Sequence, residues 1–145
     1  MFPFAIDYYL TVSIAATGVI QIAASLGNLH GLVFFGSKVV ARFVGAILVV
    51  VPTVWFFFSE PRNINDYEGG LDANEQAIFF VLGTFTALFV TLIASSLLNF
   101  RMKAETEPEA GLDAVKSATY ARAILVSLRY WTKQWRIQIK SYLLG

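Results

Sequence analysis

Apolar side chains fall into three long runs, residues 8–26, 39–58 and 77–100, and none of the three alternates with a period of two. Crossing a hydrocarbon core of about 30 Å takes roughly 20 mainly apolar residues in a helix, so each run is long enough to span a bilayer. A backbone inside lipid must satisfy its own hydrogen bonds, and uninterrupted runs of this length select helices over the ten-residue alternating strands of a barrel.

The stretch from Asp113 to Leu144 has a different pattern. Tyr120, Ile124, Leu128, Trp131, Trp135, Ile139 and Tyr142 recur at steps of three or four, which is a helical period. Arg122, Arg129, Lys133, Arg136 and Lys140 fall in the nearly opposite sector. Asp113 is placed to cap such a helix at its start. Central Arg or Lys in a span costs about 2.5–3.5 kcal/mol each, so this helix is expected to lie in the membrane interface. Its apolar sector then faces lipid and its basic sector faces water and anionic headgroups. Docking on a partner's cytoplasmic face is the alternative. Nucleic acid is not an expected partner, because it would leave the two Trp residues without a role.

The pattern therefore predicts an all-α membrane protein: three transmembrane helices plus a C-terminal amphipathic interfacial helix. Residues 1–103 form the spanning bundle, 104–112 (AETEPEAGL) an acidic linker, and 113–145 the basic helix. The first run resembles a secretory signal in one respect, since Ala23 and Ser25 are small residues at cleavage spacing. No Lys or Arg precedes it, however, and Asp7 does, so it is expected to be retained as a span.

Composition agrees, with 57% of the 145 residues apolar and 14% charged, against about 25% charged in ordinary soluble domains. Net charge is only +1, yet its distribution is lopsided. Ten of the eleven bases flank the runs on one side, from Lys38 and Arg42 through Arg101 and Lys103 to Lys140. The opposite side holds Asp7, Glu60, Asp66, Glu68, Asp72 and Glu75 with the single base Arg62. Positive flanking residues stay cytoplasmic, which predicts an outside amino terminus, a cytoplasmic carboxy terminus and residence in the plasma (inner) membrane. Tyr8 and Tyr9 at the start of the first run and Trp55 near the end of the second suit the interfacial aromatic belts. Arg42, one turn inside its run, is expected to snorkel to the headgroups, with a functional buried charge as the sharper alternative.

Between helices in lipid, contact faces are marked by small and hydrogen-bonding residues. Ser13, Thr17 and Gln21, continued by Ala24 and Asn28, form one such stripe, and Thr84, Thr91 and Ser95, continued by Asn99, form another. They are expected to face protein, with a solute path as the alternative. Pro52 predicts a kink in the second run.

Catalytic equipment is sparse. The chain has no cysteine and one histidine, His30, so no thiolate chemistry and no intramolecular histidine pair for haem or metal is expected. Nucleophile-elbow, zincin, P-loop and dinucleotide fingerprints are absent from the sequence. The outer loop from Asn63 to Glu75 concentrates carboxylates without the EF-hand order of acids and glycine, and a solvated acidic turn is expected there. Asp72 and Glu75 suit the start of the third helix. No cofactor is expected. These features point to a non-catalytic accessory or scaffold subunit of a larger membrane complex, for example an energy-converting one, with the bilayer and other membrane subunits as partners. The alternatives are a small homo-oligomeric transporter or channel, and a membrane anchor that recruits a soluble protein through its last helix.

Overall fold

The computed structural model describes residues 4–59, 70–99, 116 and 119–144; the side chains of Ser59, Val126, Gln134, Arg136–Gln138 and Lys140–Leu144 lie outside the description. So do the linker at 104–112, Asp113 and most of the acidic loop. The elements are α1 (Phe4–Leu26), α2 (Lys38–Ser59), α3 (Ala73–Leu98) and α4 (Tyr120–Leu144), with no strand among the described residues. The first three are long and apolar enough to cross a membrane, over 23, 21 and 26 residues.

Local sequence explains where these helices start and stop. Asp72 caps α3: its carboxylate accepts the Glu75 N–H at 2.7 Å, and the Glu75 carboxylate accepts the Asp72 N–H at 3.3 Å, a reciprocal capping box. This cap draws α3 back to Ala73, four residues before the apolar run begins. At the end of α1, Asn28 takes a left-handed backbone conformation (φ 57°), and the Leu29 N–H reaches back to the Ala24 carbonyl at 2.9 Å. Asn tolerates that conformation better than other residues with a Cβ, so the helix ends there. α2 stays helical through Pro52. Thr119 is non-helical, and its hydroxyl accepts the Arg122 N–H at 3.4 Å, so α4 opens at Tyr120 rather than running unbroken from Asp113.

α1 is the middle of the bundle. It packs against α2 and α3, while among the described residues no Cα of α2 comes within 8 Å of one in α3. α1 and α2 are antiparallel, with Phe4 (tilted) and Tyr8 (edge-on) packed on Phe56 at ring distances of 5.7 and 6.0 Å at one end and Ser25 bonded to Lys38 at the other. They meet most closely at Gly18 and Gly45. A Cβ on Gly18 would lie 2.5 Å from the Gly45 carbonyl oxygen, and one on Gly45 would lie 2.8 Å from that of Gly18. Only residues without a side chain allow this approach. α3 meets α1 at Gly83, where a Cβ would press on Val12 at 2.9 Å.

Burial is inverted relative to a soluble protein. The buried residues of α1 are Asp7, Ser13, Gly18, Gln21, Ala24 and Ser25, and those of α3 are Gly83, Ala87, Thr91 and Ser95. Phe43, Phe57, Phe58, Phe85, Phe89 and Leu97 are all exposed. Small and polar groups hold the helices together while bulky apolar ones point outward, the arrangement expected where the surroundings are hydrocarbon.

Candidate functional site

Two places on the bundle differ from a plain helix contact: a polar corner where α1 turns into α2, and an open groove at the opposite end.

The corner is built around Gln21, which is 1% exposed. Its amide nitrogen donates to the Leu32 carbonyl at 3.1 Å and its oxygen accepts the Phe34 N–H at 2.8 Å. Both partners belong to the irregular segment between α1 and α2, whose backbone groups have no helix to satisfy them. One planar amide, with a donor and an acceptor side by side, substitutes for the missing turn. Asn99, just past α3, donates to the Val33 carbonyl at 2.8 Å and ties the third helix to the same segment. Val33 itself is buried, together with Ala24 and Ala41.

Beside this knot lie the two cations of α2. The Ser25 hydroxyl donates to the Lys38 carbonyl at 3.1 Å and accepts Nε–H of Arg42 at 3.1 Å, while Lys38 Nζ donates to Asn28 Oδ1. Lys38 and Arg42 remain exposed, as does His30 nearby.

The groove has a volume of about 490 Å³ and exists because α2 and α3 diverge over α1. Its floor is Val12, Ala15, Ala16 and Val19 of α1; Thr53 and Phe56 of α2 form one wall, and Phe80 and Thr84 of α3 the other. Of its hydroxyls, that of Thr53 donates to the Val49 carbonyl at 2.7 Å and that of Thr84 to the Phe80 carbonyl at 2.8 Å, and Tyr8 and Thr11 also line it. The surface is overwhelmingly apolar and suits hydrocarbon.

No family model matches this sequence, and no curated protein or solved structure is significantly similar to it.

Ser13, Gln21, Thr91 and Ser95 are buried, Thr17 is half-buried and Thr84 is exposed. The α3 face against α1 runs through Gly83, Ala87, Thr91 and Ser95, so the register begins one residue before Thr84, which lines the groove instead. Thr17 and Ser13 spend their hydroxyls locally, on the Ser13 and Tyr9 carbonyls at 2.9 and 2.8 Å. The α1–α3 hydroxyl pair that does form is Tyr9 with Thr86, at 2.8 Å. Thr91, at 0% exposure, has a hydroxyl without a hydrogen-bond partner.

Sequence reasoning missed four positions. Gly18 and Gly45 carried a signal, as lone glycines within apolar runs. Ser25 carried none beyond its small size. Asp7 is 4% exposed and belongs to the protein-facing side of α1, although its neighbours read as an outer flank.

On α4, Tyr120, Ile124, Leu128, Trp131, Trp135 and Ile139 are exposed, as are Arg129 and Lys133, while Arg122 is half-buried; the side chains of Arg136, Lys140 and Tyr142 lie outside the description. α4 touches the bundle near its own start, where Tyr120, Ala121 and Ile124 face Phe89, Ile93 and Leu97 of α3. Among the described residues no group of three or more His, Asp or Glu converges as a metal site would require.

Proposed function

We propose that this chain is a non-catalytic subunit of a larger membrane protein complex, seated in the plasma membrane with its amino terminus outside and α4 on the cytoplasmic surface. The single observation that carries the reading is the groove between α2 and α3. A three-helix bundle built to stand alone would close these helices on each other, whereas here α1 separates them and about 490 Å³ of apolar space stays open. The small residues on its floor, Ala15 and Ala16, are those that let another helix approach closely in lipid.

The exposed apolar sector of α4 supports the same reading. Trp131, Trp135 and Ile139 on one side and Arg129 and Lys133 on the other suit a helix half-sunk in an anionic surface. The separation of acids from bases along the chain supports the orientation. A self-assembled solute path is the weaker reading, because the hydroxyl-bearing residues that would line it, Ser13, Thr91 and Ser95, are buried between α1 and α3.

The test is purification of the tagged full chain in a mild detergent, followed by native mass spectrometry. Larger subunits at fixed stoichiometry are expected. A lone monomer overturns the proposal, and solute flux from liposomes containing the pure chain would replace it with the transport reading.

A further inference from the structure

We propose that the corner formed by Lys38 and Arg42 binds the phosphate of an anionic phospholipid headgroup. Lys38 is the first residue of a helix long and apolar enough to cross a membrane, so the corner sits at the depth where lipid phosphates lie. Positions 38 and 42 are neighbours on one helix face, about 5–6 Å apart at Cβ. Two like charges at that spacing repel unless an anion lies between them. Among the described residues no carboxylate lies there: Asp7, Asp72 and Glu75 belong to the opposite end of the bundle.

The corner is also organised. Ser25 is 1% exposed and fixed by its bond to the Lys38 carbonyl. By accepting from Nε of Arg42, it orients the guanidinium and leaves the two terminal nitrogens as a parallel pair of donors. That fork matches two oxygens of a phosphate, which a point-charge ammonium cannot do alone. Asn28, held in its left-handed conformation, accepts one hydrogen bond from the Lys38 ammonium and keeps it on the same corner with two donors to spare. A zwitterionic headgroup brings a cation beside its phosphate and is repelled by Lys38, so selectivity falls on lipids of net negative charge. This site is separate from the basic sector of α4 and does not depend on membership of a complex.

The test uses the full chain in mild detergent, titrated with phosphatidylglycerol or phosphatidylcholine and read by native mass spectrometry. Wild type is expected to hold phosphatidylglycerol more tightly than phosphatidylcholine. Arg42→Gln is expected to weaken that binding about tenfold, the size of a charge-assisted contact, and Lys38→Gln somewhat less. Lys38 is exposed and opens its helix, so this second variant reads the site even if Arg42→Gln folds poorly. Ser25→Ala, which frees the guanidinium without removing it, is expected to weaken binding about threefold, and Arg42→Lys to recover part of the loss. Equal binding of the two lipids overturns the proposal, as does an Arg42→Gln and Lys38→Gln pair indistinguishable from wild type. So does displacement by millimolar inorganic phosphate, which would make the ligand a free anion. A wild-type chain indifferent to lipid, with Arg42 protected only when a partner subunit is present, would assign the corner to a partner's carboxylate and also overturns it.

Discussion

The two ends of the bundle solve opposite problems. Where α1 turns into α2, the backbone leaves the helix for about ten residues; buried Gln21 and half-buried Asn99 bond its carbonyls and N–H groups, and buried Ser25 bonds the first carbonyl of α2. At the other end an open groove is walled by the helices α1, α2 and α3, whose backbone there is self-satisfied, and aromatic rings surround it. The difference teaches where specificity resides in a molecule of this kind. Irregular backbone demands particular polar partners, because an unpaired buried group costs about 1–3 kcal/mol. Regular helix demands only shape, and can leave apolar space for something else to fill.

The largest expected effect would break both ends together. Gly18→Leu puts a side chain where the Gly45 carbonyl oxygen already lies 2.5 Å from an ideal Cβ. α1 and α2 must separate, with a loss of about 3 kcal/mol in unfolding by detergent titration followed by circular dichroism. Next, Gln21→Ala leaves the Leu32 carbonyl and Phe34 N–H unpaired at the polar end. A loss of about 2 kcal/mol is expected, with faster amide exchange at Phe34 and unchanged exchange at Phe80. Equal acceleration at both ends would erase the contrast drawn here.

At the open end, the counterpart is Asp72→Ala, which removes the capping box of α3 and should cost about 1 kcal/mol with fraying confined to the first turn. Thr91→Val removes a buried hydroxyl that has no partner and should raise stability by up to about 1 kcal/mol, as the same change at a satisfied position would not. Smallest of all on the bundle is Ala16→Leu on the groove floor, expected within about 0.5 kcal/mol of wild type. The same change should reduce the yield of co-purifying subunits, and a full yield would remove the groove from the argument.

Much of this was legible in the sequence, for identifiable reasons. Span lengths follow from hydrocarbon thickness, so the apolar runs located α1, α2 and α3 to within a few residues, and the acidic pair Asp72 and Glu75 announced the cap. Gln21 and Asn99 stood out because amides are expensive in apolar runs. Their targets did not, since the carbonyls they bond belong to every residue type. Thr84 lies one residue off the α1-facing register, because Gly83, which makes the contact, offers no side chain to read. The groove was invisible, because it depends on α2 and α3 failing to meet, and pairing between helices is not written in the periodicity of either one.

The central place of α1 sets an order of assembly. As the ribosome delivers the chain, α1 emerges before α2 and α3. Each later helix then finds its docking face already waiting, and neither depends on the other to stay put. The α1–α2 hairpin, tied off by its polar corner, is complete before α3 has been translated, so a nascent chain arrested after Ser59 should already resist extraction as a paired unit.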